Sequence, residues 1–156
     1  MRVERTYNAK LVLSVLENPT IWDCIAEDGF VKGDYIPDVH GECWLAMYED
    51  DDLIAVYRLH AHNSATVEGH THVLPEFRKT HSKQTCVEAF KYVLTTPYHK
   101  VIVQIPEIYQ NVIDFVKMLG FRQEGINHQS YLKDGKYINQ IQLGITKPEI
   151  EDYLSC

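Results

Sequence analysis

Hydrophobic residues in the first part of the chain recur at two different spacings. Residues 2–7 alternate like a short edge strand, whereas residues 9–16 are apolar at helical spacing behind Asn8, a favourable N-cap residue. Pro19 stands at a first helical position and begins a second helix, which Gly29 closes. The pattern predicts one strand and two helices before the centre of any sheet.

The middle of the chain repeats with a period of two residues. Residues 43–48 and 53–59 predict a hairpin across an acidic turn, residues 49–52. Residues 65–74 predict a third strand, which Pro75 ends because proline cannot donate to a strand ladder. We therefore expect three consecutive strands, each paired with the one before it.

Helical and strand patterns alternate in the second half of the chain. In chain order they predict a helix at 83–94, a buried strand at 101–105, a helix at 108–119, strands at 121–131 and 137–145, and a short helix at 148–154. Thr80 or Ser82 is expected to cap the first of these helices. Asp134 followed by Gly135 is the strongest hairpin signal in the sequence, since both tolerate the positive φ of a tight turn.

Composition narrows the class of protein. At 156 residues the chain can build one hydrophobic core but not two independent ones, which predicts a single domain over residues 1–156. The formal charge of −7 argues against nucleic acid or an anionic membrane as the main partner. The cysteines are scattered and no secretory segment precedes them, which predicts a cytoplasmic protein without disulfides. No apolar run approaches the roughly 18 residues that a membrane helix needs.

The junction between the third predicted strand and the helix after it is the first candidate site. A helix that begins there leaves backbone N–H groups unpaired, and such a terminus binds anions. Arg78, Lys79 and Lys83 add positive charge in an otherwise acidic protein. This predicts a site for a phosphate-bearing ligand, formed by Arg78, Lys83 and the amides of residues 80–84. The alternative is an ordinary capped helix with exposed basic residues.

Two segments of the chain are similar to those of a known superfamily. The loop VLPEFRKTHSK at 73–83 and the helix end VIDFVKMLGF at 112–121, together with the element order, resemble the GNAT superfamily of acyl-CoA-dependent N-acetyltransferases over nearly the whole chain. The resemblance implies an α/β (α+β) fold with a central mixed, mostly antiparallel sheet of six to seven strands and about four flanking helices. It also implies acetyl transfer from acetyl-CoA to a primary amine.

The resemblance assigns acetyl-CoA binding to one run of residues, although the loop departs from the family pattern. The family loop reads Arg/Gln-x-x-Gly-x-Gly/Ala, and Arg78 matches its first position, while His81 and Lys83 replace the two small residues. Retention of acetyl-CoA binding is therefore open. The implied cofactor-binding residues are Val73, Leu74, Arg78, Lys79, Thr80, His81, Ser82, Lys83 and Gln84.

The family chemistry needs a base that takes a proton from the amine, and often an acid that protonates the leaving thiolate. Val116 occupies the place of the usual acidic tyrosine, and Tyr109 is a weak substitute. Glu68 stands where the histone-acetylating branch has its catalytic glutamate. Period two places Glu68, His70 and His72 on one strand face, where a carboxylate beside two imidazoles can relay a proton. The alternative is a structural or solvated strand face.

The histidine pairs and Cys86 are further candidates for functional sites. A tight turn between the second and third strands pairs residues whose numbers sum to about 127, which places His60 and His62 on the opposite face from the histidines of the third strand. No metal site is therefore predicted, although a wider loop would bring all four histidines together. Cys86 is interpreted as a core residue rather than an activated nucleophile.

A second function remains open beside catalysis. The chain is also similar to GNAT-like proteins of short-tailed bacteriophages that are associated with head assembly. That similarity implies a non-catalytic role through protein binding, with a virion assembly protein as partner in the host cytoplasm. The catalytic interpretation implies an acyl-CoA and an amine acceptor instead, and a homodimer is compatible with either.

Overall fold

The fold is described by a computed structural model of all residues, Met1–Cys156. Seven strands form one sheet in the order β1-β2-β3-β4-β5-β7-β6. The strands are β1 (Arg2–Arg5), β2 (Cys43–Glu49), β3 (Asp52–Ala61), β4 (Thr66–Val73), β5 (Lys100–Pro106), β6 (Arg122–Lys133) and β7 (Lys136–Thr146). The helices are α1 (Ala9–Leu16), α2 (Pro19–Ile25), α3 (Arg78–Leu94), α4 (Gln110–Met118) and α5 (Lys147–Ser155).

This architecture confirms the predicted α/β (α+β) class. The β4–β5 pair is parallel, whereas the β1–β2, β2–β3, β5–β7 and β6–β7 pairs are antiparallel, so the sheet is mixed and mostly antiparallel as predicted. The chain has five α-helices, one more than the expected number of about four. None of them combines the length and the apolar character that a bilayer crossing requires.

The chain divides into two compact units whose boundaries fall within β3, β4 and α3. Unit 1 consists of Met1–His60 and Gly69–Lys91, and unit 2 consists of Ala61–Glu68 and Tyr92–Cys156. The single domain inferred from chain length stays a prediction.

In unit 1 the two short helices pack on the sheet through one apolar cluster. Asn8 caps α1 by accepting from the Leu11 amide, and Asn18 caps α2 by accepting from the Thr20 amide. Their buried side chains meet Trp44 of β2 and Val56 of β3, and the cluster consists of Val12, Val15, Leu16, Ile21, Val39, Trp44 and Val56. Burial of this apolar surface fixes α1 and α2 over β2 and β3.

A different group of buried residues of unit 1 joins β3 to α3. The Tyr57 hydroxyl lies 2.9 Å from the Cys86 sulfur and 3.4 Å from the Thr85 hydroxyl. Burial raises the pKa of the Cys86 thiol to about 11, against smaller opposing effects of its hydrogen bonds to Tyr57 and Thr85. The interpretation of Cys86 as a core residue is confirmed, because a protonated, buried thiol is a poor nucleophile.

In unit 2 the predicted tight hairpin is present. Lys133 pairs with Lys136, and the two residues between them, Asp134 and Gly135, have φ of 51° and 71°. Two consecutive positive φ values are the mark of a two-residue turn whose twist matches that of the strands.

Helix α3 begins earlier than predicted. It starts at Arg78 rather than near residue 83, directly after a 3-10 turn, Pro75–Phe77. The predicted caps are wrong: the hydroxyls of Thr80 and Ser82 donate to the carbonyls of Phe77 and Arg78 instead of accepting from the helix terminus. The fixed φ of Pro75 favours this start, because proline suits the first position of a helical turn.

The register of β3 against β4 also differs from the prediction. The His62 amide donates to the Thr66 carbonyl and the Leu74 amide to the Ile54 carbonyl, and both pairs have residue numbers that sum to 128. The Asn63 side chain accepts from the amides of Ala65 and Thr66 and so stabilises a turn one residue longer than assumed. A shift of one residue reverses the faces of a strand, so the assignment of His60 and His62 to the opposite face is wrong.

Candidate functional site

Three neighbouring strands of unit 1 present a row of side chains on one face. Trp44 on β2 pairs directly with Arg58 on β3. The β3–β4 register places Arg58 opposite His70 on β4. Opposed residues of antiparallel strands share a face, so the three side chains form a cross-strand row.

This row forms one wall of a cavity of about 300 Å³ in unit 1. Leu16 of α1 and Trp22 of α2 contribute another wall, and the segment after α2 contributes Phe30 and Tyr35. The remaining lining residues are Ile25, Ala26, Glu27 and His72. Volumes near 300 Å³ lie at the small end of the range of ligand pockets in proteins.

A half-buried ion pair holds Arg58 at the edge of the cavity. Arg58 donates to both carboxylate oxygens of Glu42, and the His60 Nδ1 lies 2.9 Å from Glu42 Oε1. Burial alone would raise the pKa of Glu42, but the hydrogen bonds and charges of Arg58 and His60 hold it below its ordinary value. Glu42 is therefore ionised at neutral pH and offsets much of the charge of Arg58.

Two residues of the cavity lining each contain a buried polar atom that has no hydrogen-bond partner. These atoms are the indole nitrogen Nε1 of Trp44 and the Nδ1 of His72, and both are sealed from solvent. Trp44 is only 1 % exposed. Buried polar groups are nearly always hydrogen-bonded, so each of these atoms is an exception that needs an explanation.

The environment keeps His72 neutral. Burial is the main cause that lowers its pKa from 6.5 to about 3, and electrostatic interactions with His70, Arg58 and Arg78 act in the same direction. A neutral imidazole can accept a proton or a hydrogen bond at one ring nitrogen and donate at the other.

Glu68 has a partner that the sequence did not indicate. Its side chain is buried, and its Oε2 lies 2.6 Å from the Nε2 of His62. Both residues belong to unit 2. The three residues assigned to proton transfer, Glu68, His70 and His72, alternate along β4 as expected. Their catalytic roles stay predictions.

The residues assigned to acetyl-CoA lie at the end of β4 and in the first turns of α3. Val73 is buried and its carbonyl accepts from Arg78 Nε at 3.1 Å. The Leu74 amide donates to the Ile54 carbonyl. The residues Lys79, Thr80, Lys83 and Gln84 are exposed, whereas Arg78, His81 and Ser82 are half-buried.

His81, which stands in place of a small residue of the family loop, contacts two of its neighbours. Its ring packs edge-on against Phe77 at 5.5 Å, and its Nδ1 lies 2.7 Å from the Thr80 hydroxyl. Residues 80–84 lie inside α3, where amides beyond the first turn donate to carbonyls of the preceding turn. The cationic side chains of Arg78, Lys79 and Lys83 are therefore the main attraction for an anion at this place.

Several cavity residues were not found from the sequence. Trp44 and Arg58 belong to strands whose pattern indicated only a hairpin. Glu42, which binds Arg58 but does not line the cavity, belongs to the preceding loop. A single arginine within the apolar run of β3 is the signal that could have indicated them, because an isolated charge on a half-buried strand needs a partner. No group of three or more His, Cys, Asp or Glu residues is arranged to hold a metal ion.

Solved structures with the same fold include spermidine N-acetyltransferases from Vibrio cholerae. The enzyme in complex with CoA and spermine has a TM-score of 0.80 at 14 % identity, covering 96 % of this chain and 97 % of that one. The same enzyme in complex with manganese ions has a TM-score of 0.75 at 12 % identity, covering 97 % and 95 %. A chimera of the Vibrio cholerae enzyme and hSSAT has a TM-score of 0.78 at 15 % identity and covers 99 % of both chains.

At this identity the likeness establishes the fold, which is that of the GNAT acetyltransferases, and not the activity. Among curated proteins there is no match. One family model, described as "Protein of unknown function (DUF2824)", matches residues 9–156. The match spans nearly the whole chain, and the protein therefore belongs to the DUF2824 family.

Proposed function

We propose that this protein is an N-acetyltransferase that transfers an acetyl group from acetyl-CoA to a primary amine. The observation that carries the proposal is the fold. It matches that of a spermidine N-acetyltransferase over 96 % of this chain, and that enzyme was solved in complex with CoA and spermine. Activity on amines is the function that this likeness supports.

The start of α3 supports binding of the phosphate groups of acetyl-CoA. Arg78 is held against the end of β4 by its bond to the Val73 carbonyl, and Lys79 and Lys83 are exposed within the next five residues. Positive side chains at a helix N-terminus favour phosphate because the helix dipole adds to their charge. His81 and Lys83 fill the places of the two small residues, so we propose binding through side chains more than through a close backbone approach.

We assign proton transfer to residues of β4. Glu68 is the base, its orientation set by the bond from His62. His70 and His72 follow at period two, and we assign to them the orientation of the amine or of a bridging water beside Glu68. Bound acetyl-CoA supplies an activated thioester, and the protein supplies the base and the orientation of the amine.

Two measurements test the proposal together. Acetyl-CoA should raise the melting temperature, because any ligand that binds only the native state stabilises it. Release of free thiol should then depend on an added primary amine. A protein whose melting temperature is unchanged by saturating acetyl-CoA, and which releases no thiol with a panel of mono- and polyamines, is not an acetyltransferase of this kind.

The non-catalytic role in virion head assembly is the second candidate. It is favoured by His81 and Lys83 in place of the small loop residues, and no comparison with known proteins bears on it. A homodimer likewise stays a prediction. A stable protein partner recovered together with the absence of acetyl-CoA binding would support this second role.

A further inference from the structure

We propose that His62 carries to solvent the proton that Glu68 takes from the amine, in addition to orienting the Glu68 carboxylate. The inference rests on the proposed function for the reaction, and on the geometry of unit 2 for the path of the proton. His62 acts through Glu68 and is a positioning residue, not one that touches the substrate.

Acetyl transfer to a primary amine releases one proton in every turnover. The amine enters as an ammonium ion, because the pKa of an alkylamine lies near the value of about 10.4 that lysine has. Its nitrogen forms a bond to the acetyl carbon, the C–S bond of the thioester breaks, and the nitrogen gives up two protons. The leaving sulfur keeps one of them as a free thiol. The other must reach the solvent before the base can act again.

Glu68 needs an outlet for this proton because it is buried. Its side chain is 11 % exposed, whereas that of His62 is 36 % exposed. Ile102 of β5 lies in register with Glu68 on the same face and is buried and apolar, so no proton leaves in that direction. Burial lowers the pKa of His72 to about 3, and the His72 Nδ1 is sealed from solvent, so His72 is a poor carrier at neutral pH.

The β3–β4 turn places His62 within reach of Glu68. The His62 amide donates to the Thr66 carbonyl, and the Asn63 side chain holds the turn by accepting from two amides. His62 is therefore opposite Thr66 and diagonal to Glu68 on one face, an arrangement in which long side chains meet. A turn one residue shorter would direct His62 to the other face. The length of the turn thus creates the pair.

The bond between the two side chains provides the path. Glu68 Oε2 lies 2.6 Å from His62 Nε2, and one proton lies between them, carried by the imidazole or by the carboxyl group. The carboxyl group passes its proton to Nε2, and the exposed imidazolium passes a proton to water, since imidazole exchanges protons readily near neutral pH. Lys100 of β5, in register with Thr66, pairs with Glu124 at 2.6 Å, which offsets its charge.

The variant His62→Gln separates orientation from proton transfer. Its amide N–H can still donate to Glu68, but an amide does not carry a proton at neutral pH. If His62 only orients Glu68, turnover should stay near that of the wild type. We expect kcat to fall by roughly tenfold to a hundredfold instead, with the KM for the amine unchanged.

Added imidazole should restore turnover in the variants. At constant pH and ionic strength it carries the proton from Glu68 to solvent, so kcat of His62→Gln should rise with its concentration while that of the wild type does not. His62→Ala leaves room for imidazole beside Glu68 and should be restored more strongly, which also shows that the variant is folded. His128→Gln, at an exposed position of unit 2, is the matched control and should keep the wild-type kcat.

NMR of the protein alone tests the pair without any turnover. The ring N–H of His62 should be protected from exchange with water by its bond to Glu68, unlike that of exposed His128. Its signal is identified by its absence in His62→Gln, and it should shift in Glu68→Gln.

The relay is overturned by a kcat of His62→Gln equal to that of the wild type, by a loss that imidazole restores in neither variant, or by the lack of a protected ring proton. Failure of the proposed function is distinguishable from these results. A wild type without amine-dependent release of thiol removes the transferase and the relay with it, whereas an active wild type with an unaffected His62→Gln removes the relay alone.

Discussion

Single residues set the chemistry of β4, and His72 is the clearest case. Its pKa of about 3 means that the folded protein resists protonation at this ring, whereas the unfolded chain takes up a proton near pH 6.5. The contribution of His72 to stability is therefore complete above about pH 6.5 and is lost as the pH falls towards 3.

The free energy of unfolding should accordingly fall below pH 6.5, by up to about 1.4 kcal/mol per pH unit from this group. In His72→Asn the slope between pH 6.5 and pH 4.5 should be smaller. Urea denaturation at a series of pH values measures it, with His128→Asn as the control. The same slope in wild type and in His72→Asn would show that His72 does not carry the pH dependence.

Glu68 gives the second prediction at this scale. Glu68→Gln keeps the shape and removes the proton acceptor, so amine-dependent turnover should fall by roughly 10²- to 10⁴-fold while binding of acetyl-CoA barely changes. The exposed Glu76, in the turn before α3, provides the matched control Glu76→Gln. Equal rates in the wild type and Glu68→Gln would exclude this base.

At the scale of elements, turns decide where side chains point. The hairpin at Asp134 and Gly135 was predictable because its residues need positive φ, while the β3–β4 register was not. The number of turn residues there depends on the side chain of Asn63, which accepts from two amides. The pattern of residues does not distinguish two loops that differ in length by one residue. That difference reverses which side chains lie on each face of the strand.

The hairpin prediction is tested by Gly135→Val. No atom lies within 4 Å of an added Cβ, so the cost comes from a β-branched residue at φ of 71°. We expect a loss of about 1 to 3 kcal/mol of stability. Gly125→Val is the matched control, since its Cβ is equally unobstructed and its φ is not in the left-handed region. Equal melting temperatures for the two variants would contradict the turn.

The start of α3 gives a test of the anion site. Lys83→Glu reverses a charge on an exposed side chain and should weaken binding of coenzyme A, measured by calorimetry. Lys136→Glu, exposed at the β6–β7 turn, is the control of equal charge change. Identical affinities in both variants would place the phosphates elsewhere.

At the scale of the whole molecule, the element order and sheet type followed from the sequence. Long periodic segments such as 101–105 and 108–119 identify their structure with few alternatives. The cavity of unit 1 did not follow, because it joins residues of α1, α2, β2, β3 and β4 that only tertiary packing brings together. The pattern along the chain likewise gives no sign that Trp44 and His72 each have a buried polar atom without a hydrogen-bond partner.

Because the thiol of Cys86 is buried, its rate of chemical labelling measures how often unit 1 opens. Cys24 and Cys156 are exposed, Cys43 is intermediate and Cys86 is buried. A thiol reagent should therefore label Cys24 and Cys156 first, Cys43 more slowly, and Cys86 last, only when the contact between β3 and α3 opens. Mass spectrometry of labelling over time would give that opening rate, and a ligand that holds unit 1 closed would slow the last label while leaving the first two unchanged.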